Sequence, residues 1–179
     1  MGLLRRMKNN LGKVHIYTGD GKGKTTAALG LALRAIGAGY KVSIIQFLKG
    51  QRYSELKSLK YLPKLEIRHF GQKSYIHKTG TKKDRLEALK ALAVAKEIIN
   101  SNKYNVVILD EIFFATFFKL IEPIEIISLI KNKPKNVELI LTGRKVEPLF
   151  VKLADYITEM KEVKHPYQKG IKARQGIEY

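Results

Sequence analysis

The chain is 179 residues long, 45% hydrophobic and 28% charged, a composition that supports one buried core and argues against disorder. It has no cysteine, which excludes a disulfide scaffold, a thiolate metal site and a cysteine nucleophile, and no apolar run approaches the ~18 residues that a membrane span needs. The 34 Lys and Arg against 16 Asp and Glu leave a formal net charge of +18, which points to a nucleic acid or a phosphorylated ligand unless the lysines only solvate the surface.

Residues 1–12 form a short basic segment without an apolar signal core, so a cytoplasmic protein is expected. Residues 13–179 read as one domain. Lys13–Thr18 alternates Val14 and Ile16 with His15 and Tyr17, which predicts a strand. A glycine-rich turn over Thr18–Thr26 follows. Thr25–Ala38 is apolar nearly all round and predicts a fully buried helix, stopped by Gly37 and Gly39. Lys41–Phe47 reads as a second strand, Ser54–Leu62 as a short helix ended by Pro63, and Leu65–Phe70 as a third strand. Lys73–Lys83 reads as a loop.

Asp84–Asn100 is an amphipathic helix whose Leu89, Leu92, Ala95 and Ile99 share one face. Asn105–Asp110 is a continuous apolar strand, the pattern of a parallel sheet covered on both faces. A helix opening at Pro123 and ending before Pro134, a strand over Val137–Leu141, a short helix over Pro148–Ala154 and a last strand over Tyr156–Met160 complete the series. Strands alternating with helices give an α/β class with a mainly parallel sheet. The polar arm over residues 161–179 reads as a loop.

The strongest local signal is Thr18-Gly19-Asp20-Gly21-Lys22-Gly23-Lys24-Thr25-Thr26, placed between a strand and a helix. Glycines there let backbone N–H groups face a phosphate, and the helix N-terminus adds partial positive charge. Lys24 reaches phosphate oxygens, and the Thr25 hydroxyl is a ligand for Mg²⁺. The pattern G-x-x-x-x-G-K-[ST] asks for Gly where Thr18 stands, so a loop of altered shape is expected. Asp110-Glu111 ends the buried strand as the second nucleotide-binding signature, a carboxylate pair for Mg²⁺. Glu111 would polarise water in a hydrolase but need not in a transferase. Arg144, in Thr142-Gly143-Arg144 at another strand end, suits bidentate phosphate contact. Phe113, Phe114, Phe117 and Phe118 follow the acidic pair at helical spacing, which fits core packing or a pocket for a large flat ligand. No histidine spacing suggests zinc, and there is no Ser–His–Asp set.

These motifs occur in order with Gln46-Phe47-Leu48-Lys49-Gly50, Leu153-Ala154-Asp155, Thr158-Glu159-Met160 and an ending Lys164-His165-Pro166-Tyr167, Gly170-Ile171-Lys172-Ala173-Arg174 and Gly176-Ile177-Glu178-Tyr179. Together they resemble the P-loop type of ATP:corrinoid adenosyltransferase, the BtuR/CobO kind, from about Lys13 to Tyr179. The terminal arm makes the resemblance specific, since the loop alone is shared with many NTPases.

The resemblance implies a P-loop, RecA-like three-layer α/β sandwich. It implies transfer of the 5′-deoxyadenosyl group of ATP to Co(I) of a reduced corrinoid, with triphosphate as the leaving group. The nucleophile is then supplied by the substrate. ATP would lie reversed relative to ordinary P-loop enzymes, in keeping with the altered loop. Gly19, Asp20, Gly21, Lys22, Gly23, Lys24, Thr25 and Thr26 would bind ATP. Lys24, Glu111 and Arg144 would be catalytic, and Thr25, Asp110 and Glu111 would hold Mg²⁺. Relatives use bulky side chains to strip the lower axial ligand from Co(II). This chain has no Trp, so Phe70 and Tyr75, with Phe113, are the corrinoid-side candidates. A flavoprotein or other reductant and a homodimer are implied as partners. No nucleic-acid role and no membrane association are expected. The competing readings are a nucleic-acid-dependent ATPase and a small-molecule kinase, distinguished by their inorganic and organic products.

Overall fold

The computed structural model describes residues 10–51, 53–73, 76 and 79–179. The strands are β1 (Val14–Thr18), β2 (Val42–Gln46), β3 (Leu65–His69), β4 (Val106–Asp110), β5 (Glu138–Thr142) and β6 (Tyr156–Glu159). The helices are α1 (Lys24–Gly37), α2 (Glu55–Leu59), α3 (Lys82–Asn100), α4 (Ile112–Phe117), α5 (Pro123–Asn132) and α6 (Pro148–Val151), with a 3₁₀ turn at Pro166–Lys169. The strands form one sheet in the order β3-β2-β4-β5-β1-β6, and every pairing is parallel. This is the α/β, P-loop NTPase-like architecture that the sequence led us to expect.

The strands alternate their side chains between two cores. On β4, Val106 and Ile108 join Ala28, Ala32 and Ala35 of α1, while Val107 and Leu109 join α3, α4 and α5 on the other face. That is why β4 is apolar at every position except its last: both faces are covered. Among the described residues no helix is long and apolar enough to cross a membrane.

Several helices differ from the sequence reading. Helix α1 is not buried all round. Its buried stripe is Lys24, Ala28, Ala32 and Ala35, and Leu33 is 57% exposed. Small alanines let α1 lie close to the sheet, while its larger apolar residues fall on the flanks. Helix α3 starts at Lys82 because Thr81 and Asp84 form a capping box: the Asp84 amide donates to the Thr81 hydroxyl and the Thr81 amide donates to the Asp84 carboxylate. Its buried face is centred on Ala88, Ala91, Leu92, Ala95, Ile98 and Ile99, which leaves Leu89 exposed. The aromatic run after Asp110 is a helix of its own, α4. The arm contains a 3₁₀ turn capped by His165, whose Nδ1 accepts from the Tyr167 amide.

Candidate functional site

Parallel pairing places all strand C-termini along one edge, and open α/β sheets bind ligands there. The register sets Gln46 of β2 beside Asp110 of β4, and Tyr17 of β1 beside Thr142 of β5. The loop between β1 and α1 rises from the same edge.

The altered loop is held by the segment leaving β6. The Gly21 amide donates to the Met160 carbonyl at 2.7 Å, and the Met160 amide donates to the Thr18 carbonyl at 2.8 Å. Thr18, at the position where a glycine was sought, is a strand residue paired with Glu159. The glycine requirement has moved one residue on. Gly19 has φ +97, and a Cβ on it would sit 2.3 Å from the Met160 carbonyl oxygen; one on Gly21 would sit 2.7 Å from the backbone of Met160 and Lys161. The loop therefore depends on two glycines for close backbone approach.

Lys24 opens α1 and is 6% exposed. Its ammonium donates to the carbonyls of Gly19 at 2.6 Å and Gly21 at 2.8 Å, so it stands inside the curl of the loop. Burial, and then Arg144, hold its pKa below the usual lysine value. Thr25 faces the other way, and its hydroxyl donates to Asp110 Oδ1 at 3.0 Å.

Asp110 is 1% exposed and collects four donors: the Thr25 hydroxyl, the Thr142 hydroxyl at 2.7 Å, the Gln46 amide at 3.2 Å and the Lys49 ammonium at 2.7 Å. Glu111 takes the left-handed conformation, φ 63, and its amide donates to the Thr142 hydroxyl. A non-glycine residue in that region is strained, and it turns β4 sharply into α4. The Glu111 Oε2 atom is buried and has no hydrogen-bond partner among the described residues. Burial first, and Asp110 second, raise the Glu111 pKa. A strained, desolvated carboxyl beside a paired one makes Glu111 a candidate site residue.

These groups border a pocket of about 790 Å³ lined by Gly21 to Thr26, Lys49, Tyr53, Glu111, Arg144 and the arm residues His165 and Gly176 to Tyr179. The arm is pinned there. Glu178 accepts from Lys22 Nζ at 2.9 Å and from Arg174 Nη2 at 3.1 Å, and the Ser54 hydroxyl donates to the Tyr179 carbonyl at 2.9 Å. These bonds hold the Glu178 pKa down at about 2, with Arg174 the largest cause and Lys22 the next.

The structure brings together Lys22, Gly23, Lys24, Thr25, Thr26, Glu111 and Arg144 around the pocket, with Asp110 directly behind Thr25. Gly19 and Asp20 stand apart from the lining. Gly19 shapes the loop, and Asp20 is an exposed residue 3.8 Å from Arg144 and 3.6 Å from Lys145. Phe113 is fully buried, its ring 5.0 Å from that of Phe150, and offers no surface to a ligand in this conformation. Phe117, at 49% exposure and stacked on Phe114, is the accessible member of that aromatic group. Phe70 is half-buried at the end of β3, away from the pocket lining. Tyr75 lies outside the described residues.

Sequence reasoning did not single out Lys49, Thr142, Gln46 or Glu178 for chemistry. A polar residue at the C-terminal end of a strand marks two of them, Gln46 on β2 and Thr142 on β5. Nothing local marks Glu178, which reaches the loop from 156 residues away.

Comparison with known proteins agrees with this geometry. Residues 10–179 match the family described as ATP:corrinoid adenosyltransferase BtuR/CobO/CobP. A corrinoid adenosyltransferase of Sinorhizobium sp is 34% identical over 178 residues, covering 94% of this chain and 80% of the relative. One from Escherichia coli K12 is 30% identical over 168 residues, covering 94% and 86%. The corrinoid adenosyltransferase CobA of Salmonella typhimurium is 31% identical over 175 residues, covering 94% and 86%.

Proposed function

Because this chain belongs to the BtuR/CobO/CobP family of ATP:corrinoid adenosyltransferases, we propose that its loop cradle grips the triphosphate of ATP while Co(I) of the bound corrinoid attacks the 5′ carbon. The observation that supports this assignment of roles is the convergence of Lys24, Thr25, Glu111 and Arg144 on one pocket at the C-terminal edge of the sheet. The cobalt–carbon bond forms as the bond between C5′ and the triphosphate oxygen breaks, and the electron pair leaves with triphosphate. The protein then has three tasks: to align C5′ with cobalt, to neutralise the leaving group, and to keep water away.

Lys24, Arg144 and Lys22, all in the pocket lining, carry the second task. The site also suits Mg²⁺. Thr25 Oγ1 and the Asp110 carboxylate offer hard oxygen donors 3.0 Å apart, and Glu111 Oε2 is a buried oxygen lacking a partner among the described residues. Thr25 and Asp110, with Glu111 beside them, would hold the ion, which supplies further charge neutralisation at the triphosphate. The corrinoid side is assigned to the aromatic residues beyond β3 and β4, with Phe70 and Tyr75 as candidates for displacing the lower axial ligand. Co(I) has to be made by reduction of Co(II), so a flavoprotein or other one-electron donor is the class of partner required. Assembly as a homodimer and a cytoplasmic location complete the reading, on the family resemblance.

The arm serves the third task by closing the pocket over the loop. Glu178→Gln should raise KM for ATP several-fold while leaving kcat and the melting temperature nearly unchanged, because the lost contacts are exposed. The Glu178 carboxylate is ionised above its unfolded value of 4.5 and loses its pairing only as pH falls toward about 2. KM for ATP should therefore show no Glu178-dependent change between about pH 5 and 9. An identical KM in the variant would remove the arm from nucleotide binding.

The decisive assay mixes purified protein, ATP, Mg²⁺ and pre-reduced cob(I)alamin without oxygen. The expected products are a light-sensitive alkylcobalamin and inorganic triphosphate in equal amounts. Orthophosphate with nucleic-acid stimulation, or ADP with a phosphorylated acceptor, would replace this reading by an ATPase or a kinase.

A further inference from the structure

The steps above use Lys22, Lys24 and Arg144, yet the pocket holds a fourth cation. Lys49 is the least exposed of the four after Lys24: its side chain is 11% exposed, against 48% for Lys22 and 47% for Arg144. Its ammonium lies 2.7 Å from Asp110 Oδ2 and 3.4 Å from Thr25 Oγ1, with the Tyr53 ring centroid at 5.0 Å. It therefore stands against the same two residues that fit a divalent ion, and two cations cannot share that position without strong repulsion.

The backbone is shaped to deliver it there. Leu48 adopts a left-handed φ of 57, unfavourable for a leucine. The Lys49 amide donates to the Phe70 carbonyl at 2.8 Å, and the Phe70 amide donates to the Gln46 carbonyl at 2.9 Å. Gly71, at φ +140, passes so close that a Cβ would lie 2.7 Å from the Lys49 nitrogen. The ends of β2 and β3 are thus stitched together, and the Lys49 side chain is sent across to β4.

Asp110 is a buried carboxylate that needs a positive neighbour, and Lys49 provides it. A cation arriving with ATP takes over that duty and releases an ammonium already inside the triphosphate pocket. We propose that Lys49 is a further triphosphate-binding residue, held on Asp110 and Thr25 until the cation–nucleotide complex displaces it, so that cation and nucleotide load together. This rests on the adenosyl-transfer reading above.

The test titrates Mn²⁺ by electron paramagnetic resonance into the full chain, with and without ATP, for wild type, Lys49→Gln and Lys49→Arg, with ATP affinity measured by calorimetry. Wild type should bind Mn²⁺ at least about 10-fold more weakly without ATP than with it, and Lys49→Gln should bind nucleotide-free Mn²⁺ about 10-fold more tightly than wild type while losing about 10-fold in ATP affinity, the scale of one charge-assisted hydrogen bond. Lys49→Arg should retain most of the ATP affinity. Equal nucleotide-free Mn²⁺ affinity in wild type and Lys49→Gln, or unchanged ATP affinity in Lys49→Gln, overturns the proposal. Should the glutamine variant not fold, the wild-type titration decides alone: Mn²⁺ bound as tightly without ATP as with it is fatal. Formation of alkylcobalamin by the same wild-type preparation separates either failure from failure of the underlying reading.

Discussion

Lys24→Ala is expected to slow adenosyl transfer by about 10²–10³-fold, the usual loss when one preorganised charge partner of a transition state is removed. The reason is positional. The ammonium is buried inside the loop, held by the carbonyls of Gly19 and Gly21, so on the proposed function it would meet the triphosphate without reorganising water around it. Negative charge grows on the leaving oxygen as the C5′ bond breaks, and a preorganised cation favours that state over the ground state. The loss should appear in single-turnover rates with pre-reduced corrinoid, which bypass the reductant. The fold should survive, since the loop stays braced by the Gly21 and Met160 backbone hydrogen bonds. A Lys24→Ala enzyme with wild-type single-turnover rate would remove the loop from catalysis.

Asp110→Ala should be the most damaging substitution for both stability and activity. It strips the common acceptor from Thr25, Thr142, Gln46 and Lys49 at once. Leaving a buried cation without its partner costs about 3–5 kcal/mol, and each kcal/mol lowers Tm by about 2–4 °C in a chain of this size. A Tm drop of about 10 °C or more, with transfer undetectable, is the expected result by thermal unfolding and product analysis. Adding Lys49→Gln to Asp110→Ala should recover part of the Tm, because the orphaned charge is gone, while transfer stays absent. Independent, additive losses in that double mutant would show that the two side chains do not depend on each other.

The sheet was legible in the sequence because strand and helix periods are local. Each strand expected from alternation or a continuous apolar run appears within about a residue of its place. Helix faces were less legible. The Leu89 face of α3 was displaced because the sheet selects small residues for close approach, and Ala88 and Ala91 outrank Leu89 there. The start of α3 was legible in principle, since Thr81 and Asp84 are three residues apart, the capping-box spacing. The place of Phe113 after Asp110-Glu111 is compatible with core packing or with ligand contact. The strained turn at Glu111 points it inward against Phe150.

What this amino-acid sequence determined by itself was the class of fold, the glycine-rich turn between β1 and α1 and the acidic strand end, because each rests on the conformational preferences and periodicity of neighbouring residues. Only the tertiary structure decided that Met160 braces the loop, that Lys49 and Thr142 share Asp110, and that Glu178 reaches Lys22. Those contacts join segments 32 to 156 residues apart. They arise from the order in which the strands pair, and no local pattern encodes which distant side chain a buried charge will meet.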